Sequence, residues 1–151
     1  MKLSTLLERK NIVVPLLSLD KQPVIEELLD AACATGKVTD RAKALQALLD
    51  RERLGSTGLE KGLAIPHART NAVDGIVLAV GIAPDGVEFQ AADGNFSNLF
   101  FLLIASEAMT TTYIQILALI ARLSQQESFR RNLLAAKTPD EVLDLVKKVE
   151  E

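Results

Sequence analysis

Two uninterrupted apolar runs decide the fold: Ile76-Val-Leu-Ala-Val-Gly-Ile-Ala83 and Leu99-Phe-Phe-Leu-Leu-Ile-Ala105. Neither run alternates between apolar and polar residues, so each is typical of a strand that other elements cover on both faces. Turn signals at Pro84-Asp-Gly86 and Asp93-Gly94-Asn95 lie between them, on either side of a short return strand predicted at Val87–Phe89. The middle of the chain therefore predicts a buried β-sheet.

Helical patterns lie on both sides of these strands. The predicted helices cover residues 23–35, 40–53, 111–125, 129–136 and a last segment after Thr138, with a short helix at 3–8 and short strands at 12–14 and 62–66. We expect Thr39 to cap the second helix, and Thr138, with Pro139 and Glu141, to begin the last. The helix after the second run is apolar around much of its circumference, with Ile114 predicted to be buried.

This order of elements predicts an α/β fold, a mixed β-sheet sandwiched by helices. No repeat, linker or low-complexity tract interrupts the 151 residues, which we therefore treat as a single compact domain spanning 1–151. Cys33 lies in the apolar stripe of the first long helix, where we expect a buried, unreactive thiol.

Composition excludes several classes of protein. The chain is 48% hydrophobic and 25% charged, as ordinary globular domains are and disordered proteins are not. One cysteine cannot form an internal disulfide, and a net charge of −3 does not suit a nucleic-acid-binding protein. Residues 1–10 lack the apolar core of a secretory signal, and both apolar runs are shorter than the roughly 18–20 residues that span a bilayer. We expect a cytoplasmic protein with no direct membrane insertion.

The sequence offers few candidates for chemistry. It contains no phosphate-binding P-loop, dinucleotide-binding glycine motif or serine nucleophile motif. A zinc site is not expected, because one histidine and one distant cysteine do not supply three or four ligands. The single histidine, His67, is the only side chain whose ordinary pKa lies near neutrality.

His67 lies near the end of a segment rich in polar residues and glycine, which runs from Arg51 to Arg69. Its glycines allow tight turns, its hydroxyls and the guanidinium of Arg51 suit phosphoryl oxygens, and a neutral imidazole is a competent nucleophile toward phosphorus. Two interpretations remain open at this point: a phosphoryl-transfer site, or a surface loop whose histidine merely caps a strand.

The stretch Gly55-Ser-Thr-Gly-Leu-Glu-Lys-Gly-Leu-Ala-Ile-Pro-His-Ala68 resembles the signature of the fructose/mannitol-type enzyme IIA (EIIA type-2) domains of the bacterial phosphotransferase system, which include a nitrogen-regulatory branch. The spacing, the glycines and the Pro-His pair agree together, and the similarity extends over nearly the whole chain. The resemblance implies a phosphotransferase component, a histidine phosphocarrier. No metal or organic cofactor is implied.

The resemblance assigns roles to five residues. His67 is the phosphoryl acceptor, through Nε2, and Arg51 stabilises the phosphate, while Ser56, Thr57 and Gly58 match the loop beside the histidine. The implied donor is an HPr-like phosphocarrier protein or its nitrogen-branch counterpart. The implied acceptor is a IIB domain, or the phosphate remains as a mark read by a regulatory target protein.

The sequence departs from the family pattern at three positions. Tyr113 stands where efficient members carry a second histidine, Glu60 replaces a common glycine, and Ala105 replaces a common proline. A phenol donates a hydrogen bond but carries no positive charge near neutral pH. Two functions therefore stay open, a working phosphocarrier and a regulatory binding module with slow or vestigial transfer, besides a different enzyme on the same scaffold. Because no IIB or IIC segment accompanies the domain, the resemblance favours a stand-alone, nitrogen-type protein.

Overall fold

A five-stranded mixed sheet forms the centre of the computed structural model, which describes residues 2–151. The strands are β1 (Ile12–Val13), β2 (Leu63–Ala64), β3 (His67–Arg69), β4 (Ile76–Val87) and β5 (Ser97–Ala105). The order is β1-β4-β5-β2, and β3 also pairs with β5. Only β4 and β5 are antiparallel, with Leu78 opposite Leu103, whereas β1 is parallel to β4 and both β2 and β3 are parallel to β5. The predicted mixed sheet is confirmed.

Five helices cover both faces of this sheet: α1 (Lys21–Cys33), α2 (Arg41–Leu54), α3 (Thr110–Leu123), α4 (Glu127–Ala135) and α5 (Pro139–Val149). Single 3₁₀ turns occupy Leu3–Leu6, Arg9–Asn11 and Glu107–Met109. Alternate residues of β5 point to opposite faces. Phe100 and Leu102 pack with α1 and α2, whereas Phe101 and Leu103 pack with α3, α4 and α5. This is the sandwich that the two continuous apolar runs predict.

The structure corrects three predictions: the residue that caps α2, the strand at 87–89 and the length of the strand at 62–66. Asp40, rather than Thr39, caps α2, because its carboxylate accepts from the amide of Lys43 at 3.1 Å. No separate return strand forms at 87–89, since β4 continues through Pro84–Gly86 with an irregular register and Val87 still pairs with Ser97. The segment 62–66 holds only the two-residue β2, with β3 beginning at His67.

The burial of α3 is also narrower than predicted. Ile114 is 59% exposed, so the prediction that it is buried is wrong. The helix lies across one face of the sheet, which leaves only the stripe of Tyr113, Ile116, Ile120 and Leu123 facing the core. Cys33 is half-buried, and burial raises the pKa of its thiol, which keeps it protonated and unreactive.

The last helix begins at the predicted cap, but the Glu141 carboxylate accepts from the amide of Lys137 at 2.8 Å rather than from that of Thr138. Thr138 caps α5 by accepting from the amide of Glu141 at 3.2 Å, with Pro139 in the first turn. Within residues 2–151, no helix is long and apolar enough to cross a membrane.

Candidate functional site

His67 lies at the start of β3, where the end of α2 and the beginning of α3 approach the sheet. The side chain of His67 lines a cleft of about 750 Å³. The lining residues come from α2 (Ala47, Asp50, Arg51 and Leu54), from β3 (His67, Ala68 and Arg69) and from the region of α3 (Glu107 and Tyr113). Three segments distant in sequence therefore build one site.

The orientation of the His67 ring is set by its own strand. Its Nδ1 atom lies 2.5 Å from the carbonyl oxygen of Ile65. A carbonyl oxygen only accepts hydrogen bonds, so Nδ1 carries the proton and donates it. The lone pair of the neutral ring is therefore on Nε2, the other ring nitrogen.

The surroundings of His67 favour this neutral form. Burial lowers the pKa of the imidazole below its ordinary value, and the positive charge of Arg51 lowers it further. The hydrogen bond to Ile65 and the negative charge of Glu52 act in the opposite direction, but the net shift is downward. At neutral pH the ring is uncharged and Nε2 is available as a nucleophile.

Tyr113 is the aromatic neighbour of His67. The two ring centroids are 6.1 Å apart with the planes tilted by 50°. Burial raises the pKa of the phenol, although the charges of Arg69 and Arg51 act to lower it. Tyr113 therefore stays protonated near neutral pH and offers the cleft a neutral hydroxyl.

Arg51 lines the same cleft from the last turn of α2. One nitrogen of its guanidinium, Nη1, donates to the carbonyl oxygen of Gly55 at 2.8 Å. That bond satisfies a carbonyl just past the end of the helix and holds the arginine against the loop that follows. The planar group has five donors in all, so it retains capacity to bind an anion.

Ser56, Thr57 and Gly58 are engaged with the protein itself and do not line the cleft. The Ser56 hydroxyl donates to the carbonyl oxygen of Phe89 at 2.7 Å and accepts from the amide of Gly58 at 3.0 Å. The Thr57 hydroxyl and amide both donate to the carboxylate of Glu52. In this arrangement the three residues shape the loop, and their direct contact with a phosphoryl group stays a prediction.

Three residues that line the cleft are not among those that the sequence motif indicates: Asp50, Arg69 and Glu107. Arg69 had a usable signal, because residues two apart on a strand project from the same face. No signal in the sequence indicated Asp50 and Glu107, because their place at the cleft depends on how α2 and α3 pack. In the described part of the chain, no group of three or more His, Cys, Asp or Glu side chains is arranged to hold a metal ion.

A family model and curated relatives match this chain over most of its length. A family model described as "Phosphoenolpyruvate-dependent sugar phosphotransferase system, EIIA 2" matches residues 5–149. The fructose-specific EIIA component of Haloferax volcanii is 37% identical over 131 residues, which are 87% of this chain and 85% of that protein. The fructose-specific EIIABC component of Bacillus subtilis is 34% identical over 146 residues, 97% of this chain but only 23% of that protein. The chain thus spans less than a quarter of the length of the Bacillus relative.

Solved structures resemble it over nearly their whole length. The nitrogen regulatory protein IIA-Ntr of Neisseria meningitidis has a TM-score of 0.87 at 29% identity, covering 95% of this chain and 97% of that one. The mannitol enzyme IIA of Escherichia coli, solved in complex with phosphorylated enzyme IIB, has a TM-score of 0.80 at 25% identity, covering 94% and 97%. The chain therefore belongs to the EIIA 2 family of the phosphoenolpyruvate-dependent sugar phosphotransferase system.

Proposed function

We propose that the protein is a phosphocarrier of this system. Nε2 of His67 accepts a phosphoryl group from the phosphohistidine of an HPr-like carrier and passes it to a IIB domain. The observation that carries the proposal is the 2.5 Å hydrogen bond from Nδ1 of His67 to the carbonyl oxygen of Ile65. That bond leaves the nucleophilic lone pair on Nε2.

The transfer is a displacement at phosphorus. The Nε2 lone pair forms a new P–N bond while the P–N bond of the donor breaks, and the electron pair of the broken bond stays on the nitrogen of the donor histidine. The ring of His67 becomes positively charged, and its Nδ1 proton remains on the hydrogen bond to Ile65. The carbonyl oxygen therefore stabilises the charge that the reaction creates.

The cleft supplies charge for the transferred group. A phosphoryl group brings up to two negative charges, and guanidinium groups stabilise such charge in phosphoryl transfer. Arg51 lines the same cleft as His67, and its positive charge lowers the pKa of the imidazole. The hydroxyl of Tyr113 is available to donate a hydrogen bond to a phosphoryl oxygen.

A second candidate function is a regulatory module that binds another protein and uses phosphorylation as a slow switch. Tyr113 is the observation that favours it. The phenol is buried and protonated, so it brings no positive charge to a phosphoryl group on His67. Slow phosphoryl transfer is sufficient for a regulatory switch, whereas sugar uptake requires rapid transfer.

One labelling experiment tests the proposal. The protein is incubated with enzyme I, an HPr-class carrier and phosphoenolpyruvate, and we expect an acid-labile phosphoprotein. His67→Ala should abolish the label, with Cys33→Ser as a matched control that keeps it. Since the sequence holds a single histidine, acid-labile label that persists in His67→Ala would overturn the assignment.

A chase separates the two functions. Purified phosphoprotein is mixed with IIB domains, and movement of the label to a IIB domain within seconds supports the carrier. Label that stays on His67 while the protein binds a regulatory target supports the second candidate.

A further inference from the structure

Arg69 is a second arginine in the cleft, on the same strand as His67. The two residues are two apart on β3, so their side chains project from the same face. Ala68 between them points to the opposite face and is buried. Arg69 is exposed at the cleft, where its guanidinium is accessible to an incoming group.

A specific contact holds Arg69 in this position. Its Nη1 atom donates to the hydroxyl oxygen of Thr110, the first residue of α3, at 3.0 Å. The Thr110 hydroxyl in turn donates to the carbonyl oxygen of Glu107 at 2.8 Å, which commits its hydrogen and leaves its lone pairs to Arg69. The side chain is therefore bound at one nitrogen, and its remaining donors face other partners or solvent.

Two arginines, Arg51 and Arg69, and two acids, Asp50 and Glu107, line the cleft. Asp50 is occupied by an ion pair with Arg53 at 2.6 Å and by the amide of Gln46 at 2.7 Å. Glu107 is the other acid that lines the cleft, on the turn before α3. Arg51 and Arg69 line the same cleft as His67 and Tyr113, and the positive charge of each acts to lower the pKa of the phenol against the larger effect of burial.

We propose that Arg69 binds the phosphoryl oxygens on phosphorylated His67, together with Arg51, and supplies the second positive charge that Tyr113 lacks. The inference rests on the proposed function, since it concerns the phosphorylated state of His67. Thr110 is then a positioning residue, which holds the guanidinium where the phosphoryl group arrives.

Chemical phosphorylation tests this without any partner protein. Phosphoramidate is used to phosphorylate His67 in the wild type, Arg69→Gln, Arg69→Lys and Arg131→Gln. The last is a control that removes one exposed arginine of α4, 69% exposed and outside the cleft. The readouts are the pKa of the phosphoryl group, from a ³¹P NMR titration, and the initial rate of phosphorylation by the HPr-class carrier. Circular dichroism checks the fold of each variant.

The expected results separate binding from a structural role. Arg69→Gln should raise the pKa of the phosphoryl group and slow phosphorylation by the carrier roughly 100-fold, the lower end of the range found for the loss of one charge-stabilising donor. Arg69→Lys should give a phosphoryl pKa and a rate between those of Arg69→Gln and the wild type, because the positive charge remains. Arg131→Gln should match the wild type in both measurements. Thr110→Val should lie between wild type and Arg69→Gln.

Each failure has its own signature. An unchanged phosphoryl pKa and an unchanged rate in Arg69→Gln would overturn the role of Arg69 and leave His67 as the acceptor. Labelling by phosphoramidate without labelling by the carrier would overturn the proposed function, while the NMR comparison still decides whether Arg69 binds the phosphoryl group.

Discussion

The imidazole of His67 and the phenol of Tyr113 form an aromatic pair, with ring centroids 6.1 Å apart and planes tilted by 50°. The pair joins the first residue of β3 to the first turn of α3, so its geometry depends on how that helix docks on the sheet. A phosphoryl group on Nε2 of His67 has to share the cleft with this phenol. If His67 carries the phosphoryl group as proposed, we expect the side chain at position 113 to affect the rate of transfer.

Tyr113→His should raise the rate of phosphoryl transfer to a IIB acceptor, by about tenfold, because an imidazole can carry the positive charge that the phenol lacks. Tyr113→Phe should lower the rate only about threefold, since it removes one neutral hydrogen bond. Single-turnover transfer from purified phosphoprotein measures both. If neither variant changes the rate, Tyr113 lies outside the reacting groups.

Arg51→Ala should slow phosphorylation by the carrier roughly 100-fold, because a guanidinium next to the transferred group is lost. The cost in stability should be about 1 kcal/mol, since the structure gives Arg51 one hydrogen bond, to the carbonyl of Gly55. Radiolabelling measures the first effect and thermal melting the second. Wild-type labelling of Arg51→Ala would return this arginine to the role of a charge at a helix end.

The pH dependence of stability should report on His67. Its pKa is lower in the folded protein than the ordinary value of 6.5, so below that value the unfolded chain binds more protons. The free energy of unfolding should therefore fall as the pH drops below about 6.5, until the folded-state pKa is reached, and this histidine should contribute no slope above it. Urea titrations from pH 5 to 8 measure the slope.

The control for this pH effect is His67→Gln, which removes the only histidine. The variant should lose the part of the slope that begins as the pH falls below about 6.5. A variant whose curve matches that of the wild type would show that the ring is not held neutral by the fold.

Glu52→Gln should destabilise the protein by about 2 kcal/mol. The carboxylate forms a 2.9 Å ion pair with Lys21 and accepts from Thr57, and the side chains of Lys21 and Glu52 are only 21% and 7% exposed. Neutralising one partner leaves the other partly buried without its counter-charge. Urea denaturation measures the loss.

A double variant shows whether the ion pair is responsible. Lys21→Met combined with Glu52→Gln should be less destabilised than the two single changes added together, because neither charge then remains unpaired. Simple additivity would instead place the cost in the lost bonds to Thr57.

The layered architecture was predictable because it follows from the uninterrupted apolar character of two strands. Residues 76–83 and 99–105 are apolar at every position, and such strands need cover on both faces. The structure places α1 and α2 on one side and α3, α4 and α5 on the other. The cap at Thr138 was equally local, since a hydroxyl and the amide three residues later satisfy each other.

The predictions were wrong where two adjacent residues could both cap a helix, and where the packing of a helix determines which residues are buried. Thr39 and Asp40 are both good capping residues, and only the backbone geometry selects Asp40. Ile114 is apolar, yet it lies outside the buried stripe of α3 and is exposed. The spacing of apolar residues indicates that a helix has an apolar face. It does not indicate which residues at the edge of that face are buried in the core.

Taken alone, the sequence determined the layered α/β fold and the segment that ends in His67, because periodicity, turns and motif spacing are properties of the chain itself. Tertiary structure decided which nitrogen of His67 is free, which groups surround it and what Ser56 and Thr57 bind. The free nitrogen depends on the folded path of the backbone at 65–67, which brings Nδ1 to the carbonyl oxygen of Ile65. The groups around the ring depend on how α2 and α3 pack against β3, and the bond from Ser56 to Phe89 joins residues 33 apart in the sequence.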